Sequence, residues 1–480
     1  MGQVNGFNLG KNRKKYIDFV KRVKREGGSY SGVKGRDFKE QLNSLLEYSP
    51  SLAVLPNTTK GGKLPTIIPA DGSADFTVSR NSTKWVLGKN GYLYEVPANQ
   101  AAIEFNADGS YKGVLVEPES TNFALDSGDW TTGNWANPVG GATSLDSSVK
   151  APDGTSDSNK IVGNGTSDVI FWRTQTFTFD SAGTWTISFF AKQTATVRYT
   201  RITLSGYTAA TNTSGVFDLQ QGRVLSGNGT IEEYGNGWYR CTIHPTIDSG
   251  DLTGIILIYA SGGVSVPNWG TSANANGKTL NAWGLHIEKS PIATSYIPTT
   301  TGAVTRVKDD IYLTSASSLI GQTEGTMFVE VDWRVASGKI QNIFAVSDGT
   351  FSNGFRIYNS SAGSLTMLGR SNDVTLTNQG ESSSAYSGIQ KIAFAYKTDD
   401  FELYRNGSSI STDTSGSLSS LATLTDIDFG QGSGDSPDQA NMWIRAVALF
   451  TTRLSDAEAY SLTGYDTYAQ MANALQYTIL

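Results

Sequence analysis

The segment TWTISFFAKQ, residues 184–193, alternates polar and apolar side chains over Thr184–Phe190. This period of two residues puts alternate side chains on opposite faces, which is typical of a half-buried β-strand. Similar segments recur between about Phe123 and Pro298 with no helical pattern between them: DVIFWRTQTFTF, RYTRITLSG, GVFDLQ, GWYRCTIHP, GIILIYAS and NAWGLHIEK. Short strands at this spacing predict an antiparallel sandwich of jelly-roll type.

A second β-rich unit is predicted from about Ile311 to Leu454. It contains the hairpin FAYKTDDFELYRNGSSI, whose second arm ends at the turn Asn406–Gly407. The following segment LSDAEAYSLTG (Leu454–Gly464) predicts a short helix capped by Ser455, with Glu458 completing a capping box. This order of strands, "LS" and a short helix resembles concanavalin-A-like domains of the laminin-G and pentraxin type.

The chain of 480 residues is too long for one ordinary core, so we expect two or three domains. With 38% hydrophobic and 17% charged residues, it can form packed cores, which excludes disorder driven by charge. We therefore predict a mainly β protein in which a short N-terminal α-helical anchor precedes two antiparallel β-sandwich (jelly-roll-like) domains. The predicted divisions are a basic helical anchor or oligomerisation segment (1–54), a β-rich lead-in (55–122), a β-sandwich jelly-roll module (123–306), a concanavalin-A-like (laminin-G-like) sandwich (307–464) and a C-terminal tail (465–480).

The N-terminal segment is basic, because residues 1–40 hold eleven Lys/Arg and four Asp/Glu while the whole chain carries a net charge of −6. Apolar residues at helical spacing predict amphipathic helices over residues 11–26 and about 36–48. Such short helices need a partner for their apolar faces, and we interpret them as an assembly anchor; nucleic-acid contact or a merely solvated face are the alternatives. The anchor candidates are Lys14, Lys15, Tyr16, Phe19, Lys21, Arg22, Leu42, Leu45 and Leu46.

Two phrases bracket the predicted middle sandwich: GVLVEPESTN at Gly113–Asn122 and SYIPTTTGAVTR at Ser295–Arg306. Together with APDGTSDSNKIV (151–162) and NGWYRC (236–241), they resemble a module of structural proteins of tailed bacteriophages, over roughly residues 55–306. The resemblance implies a virion appendage, such as a fibre or adhesin-like part of head or tail, that is usually homo-oligomeric. It supplies no catalytic residues.

The expected location is therefore the virion, assembled in the host cytoplasm and released by lysis. Partners are other virion proteins, reached through the N-terminal segment, and further copies of the chain, with a trimer as the natural closed arrangement. No apolar run approaches the ~20 residues that span a bilayer. The basic N-terminus is also not followed by the apolar core of a signal peptide.

The strongest enzyme candidate is the strand FVEVDWRV (Phe328–Val335). Laminarinase-type glycoside hydrolases, which share a concanavalin-A-like fold, carry an E-x-D-x-x-E strand. Glu330 and Asp332 match its first two positions, but Val335 stands at the third. A two-carboxylate mechanism needs both an acid and a nucleophile or base, so we predict a protein without enzymatic activity. The lone residues Cys241, His244 and His286 are interpreted as packed strand residues.

Two kinds of binding site stay open. Calcium is the single cofactor considered, since laminin-G-like domains often hold it in loops rich in carboxylates; structural turns are the favoured alternative. The calcium candidates are Asp348, Asp399, Asp400, Asp435 and Asp438. Glycan contact is considered for aromatic residues in or near loop-rich segments, with burial in a core as the alternative. These glycan candidates are Trp130, Trp135, Tyr259 and Trp269.

From the sequence alone, the protein is therefore interpreted as a non-enzymatic phage virion component. Its sandwiches would be displayed for weak, multivalent contact with glycan on the host surface. Two alternatives remain: a capsid or collar decoration protein with no receptor role, and a secreted protein that binds or cleaves glycan.

Overall fold

A computed structural model describes most of the chain. It covers residues 50–54, 56, 58–136, 141–163, 171–249, 252–261, 277–334, 338–381, 388–431 and 439–464. The mainly β class with several antiparallel sheets is confirmed over these residues. The predicted N-terminal helices, all nine anchor residues, Trp269, Val335, Asp435 and Asp438 lie outside the described residues.

Strands account for nearly all regular structure, and they are numbered in chain order. The first six are β1 (Leu52–Val54), β2 (Thr77–Ser79), β3 (Lys84–Leu87), β4 (Leu93–Val96), β5 (Ile103–Phe105) and β6 (Tyr111–Val116). The next sixteen are β7 (Ser120–Asn122), β8 (Gly141–Lys150), β9 (Asp157–Gly163), β10 (Phe171–Phe179), β11 (Gly183–Thr184), β12 (Thr186–Lys192), β13 (Tyr199–Ser205), β14 (Ala210–Thr211), β15 (Ser214–Asp218), β16 (Arg223–Gly227), β17 (Gly229–Tyr234), β18 (Trp238–Ile243), β19 (Thr246–Ile247), β20 (Leu252–Ser261), β21 (Thr279–Glu288) and β22 (Val304–Arg306).

The remaining elements follow residue 309. They are β23 (Asp310–Leu313), β24 (Glu324–Trp333), β25 (Gln341–Ser347), β26 (Gly354–Asn359), β27 (Leu365–Ser371), β28 (Val374–Gly380), β29 (Ile389–Lys397), β30 (Asp400–Arg405), β31 (Ser408–Asp413), a 3-10 turn (Leu418–Ser420), β32 (Asp426–Phe429), β33 (Met442–Phe450) and helix α1 (Asp456–Gly464).

The middle sandwich consists of a six-stranded and a five-stranded antiparallel sheet. Their orders are β17-β18-β12-β21-β9-β8 and β10-β20-β13-β15-β16. Trp185, Ile187 and Phe189 point into the core between the two sheets, as their alternation predicts. Cys241 is buried in the same core, so its interpretation as a packed strand residue is confirmed. Burial in an apolar core raises the pKa of its thiol well above the ordinary value.

The C-terminal sandwich has larger sheets. One has eight strands, in the order β31-β30-β29-β24-β33-β6-β5 with β1 also paired to β33. The other has seven, in the order β2-β23-β32-β25-β26-β27-β28. Rings from both sheets meet in the core, where Phe355 on β26 lies 5.5 Å from Phe394 and 4.4 Å from Tyr396, both on β29, between ring centroids.

The strand pairing crosses the predicted boundary near residue 122. Strands β1, β2, β5 and β6 lie in the same two sheets as β23–β33, so the segment interpreted as a lead-in builds part of the C-terminal sandwich. The middle sandwich is thus inserted between β6 and β23 of another sandwich. Local periodicity predicts strands but not their partners, which is why the sequence did not reveal this insertion.

A two-stranded ribbon, which we call the neck, joins the two sandwiches. Strand β7 pairs with β22 in the register Ser120 with Arg306 and Asn122 with Val304. The neck contains the ends of the two phrases that bracket the middle sandwich in the sequence. Asn122 fastens it to the middle sandwich, because its side-chain amide donates to the carbonyl oxygens of Leu285 at 3.1 Å and Ile297 at 2.7 Å.

Beside the neck lies a buried group of five charged side chains, which we call the junction cluster: Arg80, Lys84, Glu117, Arg306 and Asp309. Asp309 accepts hydrogen bonds from Arg80 Nη1 at 2.7 Å and from Lys84 Nζ at 2.6 Å. Lys84 also lies 3.0 Å from Glu117, and Arg306 lies 3.5 Å from it. Every one of these side chains is at most 2% exposed.

The junction cluster keeps its carboxylates ionised. Burial alone would raise the pKa of Glu117, but Lys84 and Arg306 together hold that pKa well below the ordinary value. Burial is likewise outweighed at Asp309, whose pKa is lowered by Lys84 and Arg80. Carboxylates with lowered pKa values stabilise the fold above their unfolded-state pKa values and lose this contribution as the pH falls through the folded values. The cluster is therefore fully effective at neutral pH.

Helix α1 packs on the side of the eight-stranded sheet that faces away from the core. Ala459 and Leu462 contact Phe328 and Phe450 there. The predicted capping box is confirmed: Ser455 Oγ lies 2.7 Å from Glu458 Oε2, and that carboxylate also accepts from the Ser455 backbone N–H at 2.8 Å. In the described part of the chain, no helix is long and apolar enough to cross a membrane.

We expect the junction cluster to be essential for stability. Asp309→Asn leaves Arg80 and Lys84 buried without their full countercharge, and should lower the free energy of unfolding by about 3–5 kcal/mol. Urea unfolding, followed by tryptophan fluorescence, measures this loss. The control is Asp157→Asn, which breaks the partly exposed pair with Lys150 and should cost less than about 1 kcal/mol. Equal urea midpoints of unfolding for the Asp309→Asn and Asp157→Asn variants would contradict the role given to the junction cluster.

Candidate functional site

Two of the predicted glycan contacts are core residues. Trp130 and Trp135 stack on each other at 4.4 Å between ring centroids, and both are buried. The indole N–H of Trp130 donates to the Ser127 carbonyl at 2.9 Å, and that of Trp135 donates to the Asp126 carbonyl at 3.2 Å. Their burial contradicts the predicted role as exposed platforms, because the loop around them folds inward and satisfies both indoles internally.

Tyr259 is the predicted glycan contact that stays half-exposed. It lies on β20, on the outward face of the five-stranded sheet, where it pairs in register with Arg201. The Arg201 guanidinium carbon lies 5.6 Å from the ring centroid. Burial raises the pKa of the Tyr259 hydroxyl, and Arg201 partly opposes this rise. Tyr259 stays a candidate for ligand contact.

The described calcium candidates take part in turns and ion pairs. Asp348 Oδ1 accepts from the Thr350 backbone N–H at 3.0 Å, which forms an Asx turn. Asp399 has a left-handed backbone, with φ of 55°, in the turn between β29 and β30. Asp400 pairs with Arg453 at 2.8 Å. Among the residues that the structure describes, no three His, Cys, Asp or Glu side chains form a group that could hold a metal ion.

The two carboxylates of the E-x-D strand lie together on β24, turned away from the core. Glu330 accepts a hydrogen bond from Arg445 Nε at 2.9 Å and is almost fully buried. Arg445 in turn donates to the Lys112 carbonyl at 2.7 Å. Burial raises the pKa of Asp332, and the nearby Lys112 and Arg334 oppose this rise. Glu330 is thus one half of a buried ion pair.

The two histidines occupy strand or strand-end positions, as predicted. His286 is buried on β21, where its Nδ1 lies 3.2 Å from Arg240 Nη2. Burial and the Arg240 charge lower its pKa well below the ordinary value. His244 Nδ1 lies 3.1 Å from Thr186 Oγ1. Each histidine is therefore held by a hydrogen bond inside the middle sandwich.

A surface that the sequence did not single out lies on the seven-stranded sheet of the C-terminal sandwich. We call its side turned away from the core the outer face. Pairing in register places one residue from each strand in a continuous row across this face: Thr77, Tyr312, Asp428, Ala345, Arg356, Leu368 and Asn378. Within the row, Asp428 lies on one side of Ala345 and Arg356 lies on the other.

The basic side forms a shallow cleft that is open to solvent. We call it the arginine cleft, and its lining residues are Phe351, Asn353, Gly354, Phe355, Arg356, Leu368 and Arg370. Phe351 is 38% exposed. The guanidinium carbons of Arg356 and Arg370 lie 4.1 and 4.9 Å from its ring centroid. Arg356 also lies 4.5 Å from the ring centroid of Tyr358.

The loop between β25 and β26 holds Phe351 in place. Asn353 Nδ2 donates to Asp348 Oδ2 at 2.9 Å, and Asn353 Oδ1 accepts from the Asn372 backbone N–H at 2.8 Å. The next residue must be glycine, because a Cβ at Gly354 would lie 2.2 Å from the Val346 carbonyl oxygen. Gly354 also has a φ of 141°, which other residues rarely adopt. The absence of a side chain here lets β26 pair closely with β25.

The acidic side of the outer face carries three aspartates. Asp426 and Asp428 lie on β32, and Asp310 lies on the neighbouring strand β23. Burial, together with the like charges of Asp310 and Asp426, raises the pKa of Asp428 to about 7. Between the acidic and basic sides, Ala345 and Ser347 present only small side chains.

Sequence reasoning missed the arginine cleft for a physical reason. Phe355–Tyr358 alternates as a strand should, which shows that Arg356 and Tyr358 face solvent but not what lies beside them. The cleft forms because β26 and β27 pair with Arg356 opposite Leu368 and Gly354 opposite Arg370. A register of this kind cannot be read from periodicity. The one local signal was an exposed aromatic residue in the Asp348–Asn353 loop.

Comparisons with known proteins give only distant likenesses. No family model matches the chain, and no curated protein matches it. Among solved structures, it is similar to the Ruminococcus gnavus IT-sialidase CBM40, at 19% identity and a TM-score of 0.28, over 31% of this chain and 87% of that one.

Two other solved structures show likenesses of the same size. One concerns botulinum neurotoxin type C, which depends on interaction with two ganglioside molecules to enter cells. The identity is 19% and the TM-score is 0.28, over 36% of this chain and 41% of that one. The other is the leech intramolecular trans-sialidase, at 20% identity and a TM-score of 0.28, over 32% of this chain and 25% of that one. At such TM-scores, the likenesses carry no inference about what this chain binds.

We expect the raised pKa of Asp428 to make stability depend on pH. The pKa of Asp428 is about 4 in the unfolded chain and about 7 in the folded protein. Between these two pH values, the folded protein holds the proton of Asp428 more tightly than the unfolded chain does. Wild-type stability should therefore fall as the pH rises through this interval. Asp428→Asn should raise the free energy of unfolding at pH 8 by up to about 4 kcal/mol. Urea unfolding of both proteins at several pH values measures this difference in the free energy of unfolding, which should vanish near pH 3. A difference of constant size at all pH values would contradict the role of Asp428.

Proposed function

We propose that this protein is a structural component of a tailed-bacteriophage virion, a fibre or appendage of head or tail that contacts glycan on the host surface. The observation that carries the binding role is the arginine cleft, where the exposed ring of Phe351 lies against two arginines. Sugar rings present C–H groups that pack on aromatic faces, and arginines donate hydrogen bonds to sugar oxygens. The cleft offers both kinds of contact.

The virion role is supported by the sequence phrases, and the binding role by the shape of the cleft. The cleft is shallow and open, so one copy should hold a ligand only weakly. An appendage displays several copies on one particle, and effective concentration then turns weak single contacts into firm attachment. We also propose that the C-terminal sandwich is of concanavalin-A-like type, which its two large sheets and the helix after the last strand support.

We propose no catalytic role for Glu330 and Asp332. Glycoside hydrolysis needs two carboxyl groups that face the scissile bond. The Glu330 carboxylate is instead engaged by Arg445 in a buried ion pair. This arrangement supports a protein that binds glycan without cleaving it.

Binding can be tested on printed surface polysaccharides of candidate host bacteria, with the full chain displayed in many copies on beads. We expect Phe351→Ala to weaken retention about tenfold, equivalent to about 1.4 kcal/mol. The matched control is Tyr460→Ala, which removes a ring with the same 38% exposure from helix α1. Retention that is lost equally in both variants would contradict the proposed site. No retention by the wild type would contradict glycan binding and favour a decoration protein.

The virion role has its own test. Antibody-gold labelling of purified phage particles should place the protein on the head or the tail. Protein recovered entirely as soluble material, with particles free of label, would overturn the virion role and leave the glycan test unaffected.

A further inference from the structure

We infer that the arginine cleft recognises a sugar that carries a carboxylate, within a glycan whose neighbouring sugars are neutral. This inference rests on the proposed glycan-binding function and specifies the ligand of the same site. It follows from the distribution of charge along the outer face.

Two arginines line the same cleft. Arg356 and Arg370 occupy diagonal positions on the paired strands β26 and β27, and both lie against the ring of Phe351. Diagonal neighbours of this kind are within reach of one small group. Bringing two positive charges together is unfavourable unless an anion lies between them. A bound anion would therefore be attracted by both arginines at once.

Guanidinium groups favour a planar anion. A guanidinium presents its N–H groups in one plane along its edge. A carboxylate matches this edge and can accept two parallel hydrogen bonds from it. Arg356 Nη1 lies 3.4 Å from Asn342 Oδ1, and Arg370 donates to the carbonyl oxygens of Phe351 at 3.5 Å and Asp373 at 3.2 Å. The two longer bonds are weak, so a carboxylate could replace those two at small cost.

The acidic residue paired with Arg370 is a weak competitor. Asp373 lies 3.6 Å from Arg370, in the turn that follows β27, and its side chain is 69% exposed. Exposed ion pairs of this kind contribute little free energy. The Asp373 side chain can therefore rotate into solvent when another carboxylate binds.

The acidic side of the outer face limits the charge of the rest of the ligand. Asp428 shares a row with Arg356, two strands away across Ala345, which is about 10 Å at ordinary strand spacing. A second anionic sugar extending that way would meet Asp426 and Asp428. Neutral sugars would instead donate hydroxyl hydrogen bonds to these carboxylates. The face thus favours an isolated negative charge over a polyanion.

The test uses an array of oligosaccharides that each bear one uronate, pyruvate-ketal or sialate group among neutral sugars. Each oligosaccharide is paired with its carboxyl-reduced form, and a polyuronate is printed beside them. We expect the bead-displayed full chain to retain at least one carboxylated member about tenfold better than its reduced partner. We also expect polyuronate to be retained less well than that member, and retention to fall as salt rises from low to high.

Variants connect this preference to the cleft. Arg356→Gln and Arg370→Gln should each abolish the preference for the carboxylated member, whereas Arg370→Lys should keep part of it because one charge remains without the paired hydrogen bonds. The matched control is Arg223→Gln, which removes one positive charge from an exposed position on the middle sandwich. Thermal unfolding midpoints confirm that each variant is folded, and Arg370→Lys keeps the test valid if a glutamine variant is not.

The outcomes separate this inference from the proposed function. Equal retention of carboxylated and reduced partners would overturn the anionic ligand while leaving glycan binding in place. If the Arg356→Gln and Arg370→Gln variants keep the wild-type preference for the carboxylated member, the carboxylate binds elsewhere and the inference is overturned. No retention of any pair would overturn both.

Discussion

The buried ion pairs of the junction cluster are the constraint on which the two-sandwich arrangement depends. Asp309 and Glu117 lie at the two ends of the insertion, and Arg80 and Lys84 lie before it, between the end of β2 and the start of β3. Because charges buried without partners are costly, these groups must be paired when the two sandwiches are in place. Ser295 extends the constraint into the middle sandwich by donating twice to Glu117, at 2.7 Å each.

A second contact reinforces this arrangement away from the neck. Arg334, at the end of β24, forms an ion pair with Glu232 on β17 and donates to the Ala293 carbonyl at 2.9 Å. The two sandwiches therefore touch at more than one place. The arginine cleft lies on strands β26 and β27, which take no part in these contacts, so the proposed binding surface and the junction are separate regions of the C-terminal sandwich.

Local features of the sequence predicted the structure well. The alternation in Thr184–Phe190, the Asn406–Gly407 turn with both φ values positive, and the capping box at Ser455 each depend on neighbouring residues alone. The predictions that failed concern contacts between residues that are distant in the sequence or that depend on the path of a loop. Strand β1 pairs with β33, which lies almost 400 positions further along the chain. The burial of Trp130 depends on backbone carbonyl groups of its loop, which composition does not reveal. The arginine cleft was missed because strand register, not sequence proximity, assembles it.

The way in which the middle sandwich joins the rest of the molecule also has a consequence for its evolution. The chain leaves and rejoins the C-terminal sandwich at residues that are hydrogen-bonded to each other, since the Asp309 backbone N–H donates to the Glu117 carbonyl at 3.0 Å. An insertion with adjacent ends places little demand on the domain that carries it. The middle sandwich is in this sense an exchangeable cassette: its replacement by a domain of another size changes no strand order in the sandwich that displays the outer face.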